Sequence, residues 1–189
     1  MANITIPGEI PQIKPYIHGE NYFLHDASCS DEPVCYKKVI AGAKQRICIL
    51  DPYAFENDAT RVFECIQEDG LTINIITIGY EEDEIKAVAD DIVNIIKKNI
   101  NSYSLNIISY KERNVEKKQR INLWHDRYLI IDDTDCYLVG NSLDAQQATN
   151  KHHGMLLLTE DNDKKIVTDL FEKYITMYNK IRAYKTSRK

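Results

Sequence analysis

No stretch of this 189-residue chain approaches the roughly 18 consecutive apolar residues that a membrane-crossing helix needs, so no membrane span is expected. The opening Met1-Ala2-Asn3-Ile4-Thr5 has neither the charged nor the apolar region of a secretory leader. A cytoplasmic protein is the expectation. Cysteine is sparse and unpatterned: Cys29, Cys35, Cys48, Cys65 and Cys136 are odd in number and form no Cys-x-x-Cys pair. That spacing argues against a structural zinc site and for buried thiols in a reducing compartment. No metal and no cofactor are expected. A basic excess is also lacking: 24 Lys and Arg face 29 Asp and Glu, for a net charge of −5. Broad, nonspecific binding to DNA is thereby disfavoured. There is no internal repeat and no low-complexity segment.

What is present fits one domain. A chain of this length can bury roughly 70% of its unfolded surface, so it requires no disulfide or metal staple. Pro7, Pro11 and Pro15 are evenly spaced, and residues 1–16 are expected to form an extended arm. Residues 17–189 are expected to form a single domain. A short strand is expected at Asn21–Leu24, and a helix from Asp31 and Pro33 to about Lys44. Arg46–Leu50 reads as a strand, followed by a helix capped by Asp58 and running to about Glu68. Thr72–Ile78 reads as a β-branched strand, and Glu81–Ile100 as a helix with apolar residues at helical spacing. Strands at Leu105–Ser109, Leu129–Ile131, Cys136–Val139 and Met155–Leu158 follow. A last helix is expected from about Asp163 to Tyr184. Alternating strands and helices predict an α/β protein, an α/β/α sandwich around a mixed, mainly parallel sheet.

The chemistry concentrates in Leu123-Trp124-His125-Asp126-Arg127-Tyr128-Leu129-Ile130-Ile131-Asp132, with Gly140-Asn141-Ser142-Leu143-Asp144 one strand later. In a strand, residues two apart share a face, so His125 and Arg127 are expected to point the same way. A neutral imidazole can attack phosphorus and form a covalent intermediate. A guanidinium offers a planar fork that matches two phosphate oxygens. The Gly140 turn lets backbone N–H groups approach a ligand, and the Ser142 hydroxyl can stabilise charge on phosphate oxygens. No step of this requires a metal. Asn141 is expected at the strand mouth beside His125.

The spacing His-x-cation, four residues, Asp, then an apolar strand and Gly-x-Ser resembles the single-motif branch of the phospholipase D superfamily. That resemblance implies an α/β/α sandwich in which His125 is the nucleophile and Asp132 the motif carboxylate. Asp132 has the wrong parity to face the phosphate, which favours a structural role. Arg127 stands where the family has Lys. Ser142 resembles the turn hydroxyl, displaced by one residue, and Asp144 falls near the family's Asn. His153 occupies about the place of a Glu that orients the nucleophile in family members. No second His-x-Lys or His-x-Arg occurs, since His18-Gly19-Glu20 and His25-Asp26-Ala27 lack the cation. Single-motif members complete the site by homodimerising, so the resemblance implies a homodimer in which one His attacks and its mate protonates the leaving group.

The function this implies is a metal-independent, nuclease-type phosphodiesterase. The alternative is a catalytically degenerate module of the same fold that binds a phosphorylated ligand, an anionic membrane or a protein partner. Lys111, Arg113, Lys117, Lys118, Arg120 and Arg127 crowd the approach to the motif and could guide a polyanion despite the overall sign. The basic C-terminus, with Lys180, Arg182, Lys185, Arg188 and Lys189, reads as a solvated tail. Asp51-Pro52-Tyr53 lies just past a strand expected to be parallel, at the end where open α/β sheets place ligands. Asp51 or Tyr53 could line the pocket, or simply make the turn. Isolated His152-His153 has no visible partners for metal ligation.

Overall fold

A computed structural model of the chain describes residues 19–25, 37, 39–55, 59–110, 113–114, 119–120, 126–140, 153–176 and 182–188. At 19–25, 113–114, 119–120, 153–154 and 182–185 it describes the backbone only. In chain order the strands are β1 (Gly19–His25), β2 (Arg46–Leu50), β3 (Leu71–Ile78), β4 (Tyr103–Tyr110), β5 (Arg113–Asn114), β6 (Gln119–Arg120), β7 (Arg127–Ile131), β8 (Asp135–Val139), β9 (His153–Leu158) and β10 (Arg182–Arg188). The helices are a 3-10 helix over Ala59–Cys65, α1 (Glu82–Ile96) and α2 (Asp161–Thr176).

Eight strands form one sheet in the order β1-β9-β8-β7-β2-β3-β4-β10, and β5 and β6 pair as a separate ribbon. Strand alternation sends apolar residues to both faces. Ile47 and Ile49, Ile73 and Ile75, Leu105 and Ile107, and Leu129 and Ile131 pack with α1 and the 3-10 helix. Leu50, Ile76, Ile108, Tyr110 and Ile130 pack with Val167, Phe171 and Tyr174 of α2. Two cores on opposite faces of one sheet make the expected α/β/α sandwich with a mixed sheet. Helix α1 starts on a run of acidic residues, Glu82, Asp83 and Glu84, which suits the positive end of its dipole. The Glu81 N–H donates to Glu84 Oε2 at 2.7 Å and closes its first turn.

Several expectations need correction. The sheet is not mainly parallel by pairing: only β2·β3 and β3·β4 run parallel, and the other five neighbour pairs are antiparallel. The reason is local, since the three-residue turn between β7 and β8 is far too short for a parallel crossover. The helix expected after Asp58 is a 3-10 helix, and the one expected to reach Ile100 ends at Ile96. The last helix stops at Thr176, and Arg182–Arg188 is a strand paired with β4 rather than helix or solvated tail. Without it, the N–H and C=O groups along that edge of β4 would lack partners. The arm expected over residues 1–16 and the helix start at Asp31 and Pro33 lie outside the described residues. Among the described residues, no helix is long and apolar enough to cross a membrane.

Helix α2 ends on a tertiary hydrogen bond. The buried Tyr110 hydroxyl donates to the Tyr174 carbonyl, within the last turn, where carbonyls lack partners in their own helix. Tyr110→Phe should therefore lower stability by about 1 kcal/mol. Urea unfolding reads this as a lower midpoint at unchanged slope.

Candidate active site at one edge of the sheet

Strand register gathers the candidate residues at one end of the sheet. Leu50 of β2 pairs with Tyr128 of β7, so the next positions, Asp51 and Arg127, sit side by side. Arg127 pairs with Val139 of β8, and Val139 with Met155 of β9. Gly140, which follows β8, and His153, which opens β9, are therefore at this same edge. His153 in turn is backbone-paired with His25, the last residue of β1. On the other side, β3 and β4 end here at Ile78 and Tyr110. This is the C-terminal edge of the parallel strands, where α/β sheets bind ligands.

The best-defined group at this edge is Arg127. It shares the α1 face of β7 with Leu129 and Ile131. Its Nε lies 3.5 Å from Asp51 Oδ1, its side chain is 22% exposed, and that of Asp51 is fully buried. Its guanidinium carbon sits 5.7 Å from the centre of the Tyr53 ring, within the range of a cation–π contact. Tyr53 is 45% exposed and forms the rim. Its backbone N–H donates to Asp51 Oδ1 at 2.9 Å, so one carboxylate oxygen serves both the turn and the cation. The Asp51 N–H continues the β2·β3 ladder by donating to the Ile76 carbonyl at 3.0 Å.

Buried and half-buried hydroxyls stitch the surrounding loops. Thr77 Oγ1 donates to the Pro52 carbonyl at 3.2 Å. Ser109 Oγ accepts from the Tyr80 N–H at 3.0 Å, and the Tyr80 hydroxyl accepts from the Phe55 N–H at 3.3 Å. Gly79 takes a left-handed φ of 88° where the chain leaves β3, and its N–H donates to the Tyr110 carbonyl. Sequence reasoning missed Thr77, Ser109 and Tyr80. Small polar residues at strand ends were the available signal, and it is a weak one. A hollow of about 260 Å³ lies on the α1 side, lined by Phe55, Ala59, Thr60, Ala87, Val88 and Asp91, and contains none of the candidate residues.

Asp132 stands at the opposite end of β7 from Arg127. Its carboxylate accepts from the backbone N–H groups of Lys44, Gln45 and Arg46, at 2.7 to 3.1 Å. Burial alone would raise its pKa, but those amides outweigh it and hold the carboxyl below the usual carboxylate range. Asp132 pins the start of β2 to the end of β7 and is not near the phosphate candidate. His125, Asn141, Ser142 and Asp144 lie outside the described residues, as does the His153 side chain. Gly140 is exposed at the edge, two strands from Asp51.

The described thiols are not alternative nucleophiles. Burial pushes Cys48 up to about 12 and Cys65 up to about 11 and raises Cys136 too, so these thiols stay protonated at neutral pH. Among the described residues, no three His, Cys, Asp or Glu side chains gather as metal ligands would.

No family profile matches the sequence, and no curated protein sequence matches it. Solved structures do. A phospholipase D family member, Nuc from Salmonella typhimurium, superposes with a TM-score of 0.55 at 10% identity, over 86% of this chain and 97% of that one. NucT from Helicobacter pylori superposes with a TM-score of 0.52 at 14% identity, over 82% of this chain and 94% of that one. At such identities the likeness is one of fold.

Proposed function

We propose, on the premise of the phospholipase D superfamily fold that this chain has, that it is a metal-independent phosphodiesterase acting on nucleic acid through a phosphohistidine in a homodimeric site. The observation that carries this reading is Arg127: a cation held by a buried carboxylate at the ligand-binding edge of the sheet, two residues from His125. In the first step the His125 imidazole attacks phosphorus, a P–N bond forms, and the P–O bond to the leaving alkoxide breaks. The proton for that oxygen comes from the partner's His125. In the second step the partner's His125, now neutral, takes a proton from water, the resulting hydroxide attacks phosphorus, and the P–N bond breaks to release the first His125. Arg127 neutralises charge on the nonbridging oxygens, and Ser142 with the Gly140 turn completes their cradle. Asn141, Asp144 and His153 are assigned supporting roles.

Nucleic acid is the favoured substrate because the basic run from Lys111 to Arg127 precedes the site. Residues 17–189 are read as one working domain. The free thiols Cys48, Cys65 and Cys136 suit work in a reducing cytoplasm. Sedimentation analysis together with turnover of a fluorescent phosphodiester tests the proposal. A dimer that turns over is expected; a monomer, with one imidazole per site, contradicts it.

A second reading has its own support. Asp51 already offsets the charge of Arg127, and Asp144 adds a negative charge where the family has an amide. Both suit a site that holds a phosphorylated ligand without cleaving it. Arg127→Lys bears on both readings. Lysine keeps the charge but loses the Nε contact to Asp51 and the planar face toward Tyr53. A loss of about tenfold in kcat/KM, or in ligand affinity if there is no turnover, is expected.

A further inference from the structure

The structure assigns Asp51 as the specificity-determining residue of this site: a buried carboxylate behind the Arg127 guanidinium that selects singly charged phosphodiesters over doubly charged phosphomonoesters. This rests on the reading that Arg127 binds phosphate.

Three observations support it. Asp51 has no exposed surface, yet it lies at the mouth of the sheet, where a buried charge needs a reason or a partner. Its partner is Arg127, met through Nε on the β2·β7 register, with Tyr53 against the same guanidinium. The Tyr53 N–H on Asp51 Oδ1 gives the carboxylate a second hold beside Arg127.

The electrostatics follow from that placement. A phosphate on Arg127 feels the cation first and the carboxylate just behind it, and the second field partly offsets the first. Because Asp51 is screened by protein rather than water, its repulsion stays strong over a few ångströms. A phosphodiester carries one negative charge. A phosphomonoester carries close to two at pH 8, since its second pKa is about 6. The desolvation cost of an anion grows faster than its charge, while the offset cation offers the second charge little in return. The monoester is therefore the poorer ligand. In a chain-cleaving enzyme this favours internal linkages over terminal phosphates.

The test uses the full chain at pH 8, with dimethyl phosphate and methyl phosphate as probes. Binding is followed by NMR at the Arg127 Nε–H resonance, in wild type and in Asp51→Asn. Asparagine keeps the shape and one acceptor oxygen but removes the charge. Wild type should bind the diester at least about tenfold more tightly, and Asp51→Asn should bring the ratio of the two affinities to about one or below. A fold defect would weaken both probes together and leave the ratio unchanged. A wild type that binds methyl phosphate as tightly overturns the assignment without any variant, and so does an unchanged ratio in an Asp51→Asn protein whose affinity for dimethyl phosphate is not weakened. If both probes bind without discrimination, the assignment fails and the phosphate site stands. If neither moves the Arg127 resonance, both fail. Discrimination without turnover upholds the assignment and removes the catalytic reading.

Discussion

Replacing His125 with alanine should lower turnover of a generic phosphodiester by on the order of 10⁴-fold or more and leave the fold intact. The size of the loss reflects the role. A nucleophile that forms the covalent intermediate is not replaced by the buried Cys48 or the half-buried Cys65, since both thiols are held protonated. Arg127 and its carboxylate would remain to bind substrate, so KM should change far less than kcat. Subunit mixing sharpens the point. If each reaction needs one His125 as nucleophile and the partner's His125 as acid, a freely exchanged equal mixture of wild type and His125→Ala retains activity only in wild-type pairs. That is about a quarter of the dimers, against the half expected if each subunit worked alone. Activity in His125→Ala equal to that of wild type would remove the mechanism.

Asp132 carries the largest expected effect on stability. Its carboxylate holds three backbone N–H groups at the start of β2, across 86 to 88 residues of chain. It also sits at a left-handed φ of 52°, a conformation that Asp and Asn tolerate better than other side chains. Asp132→Ala loses the acceptors and strains the turn, at about 3 to 4 kcal/mol. Asp132→Asn keeps one acceptor oxygen and the tolerated conformation, and should cost about half as much. Chemical unfolding midpoints measure both. The pH dependence has a definite sign. The folded carboxyl titrates below its unfolded value of about 3.9, so its contribution is complete above that pH and is lost as pH falls through the lower, folded value. Between pH 5 and pH 3, wild type should therefore lose more stability than Asp132→Asn does. Equal acid sensitivity in the two proteins would contradict the hydrogen-bonded role.

Much of this was visible in the chain before any coordinates. The β-branched run Thr72–Ile78 and the helical spacing from Ile85 to Ile96 mark their elements directly, because burial on both faces and burial on one stripe leave different periods. The odd parity of Asp132 relative to Arg127 signalled that the two would not face one ligand, and the structure puts them at opposite ends of β7. Strand direction was less legible. Whether β7 joins β2 or the far edge of the sheet depends on tertiary pairing, which leaves no local mark in Tyr128 or Leu50. The Asp51–Arg127 contact depends on that register, so the sequence could flag Asp51-Pro52-Tyr53 as a strand-end turn but not name its partner. The segment Arg182–Arg188 carries charges that read equally well as tail or helix, and only the open side of β4 makes it a strand. The Asp133–Arg46–Glu172 ion pairs are likewise tertiary, joining the β7–β8 turn, β2 and α2.

The central claim is a phosphohistidine at His125 in a site built around Arg127. Rapid mixing of enzyme with a labelled phosphodiester, quenching in base and peptide mapping test it most directly, because a P–N bond to imidazole survives alkali. The account predicts label on His125 in wild type and none in His125→Ala. Label on another residue, or steady turnover with no labelled peptide at any time point, would contradict it.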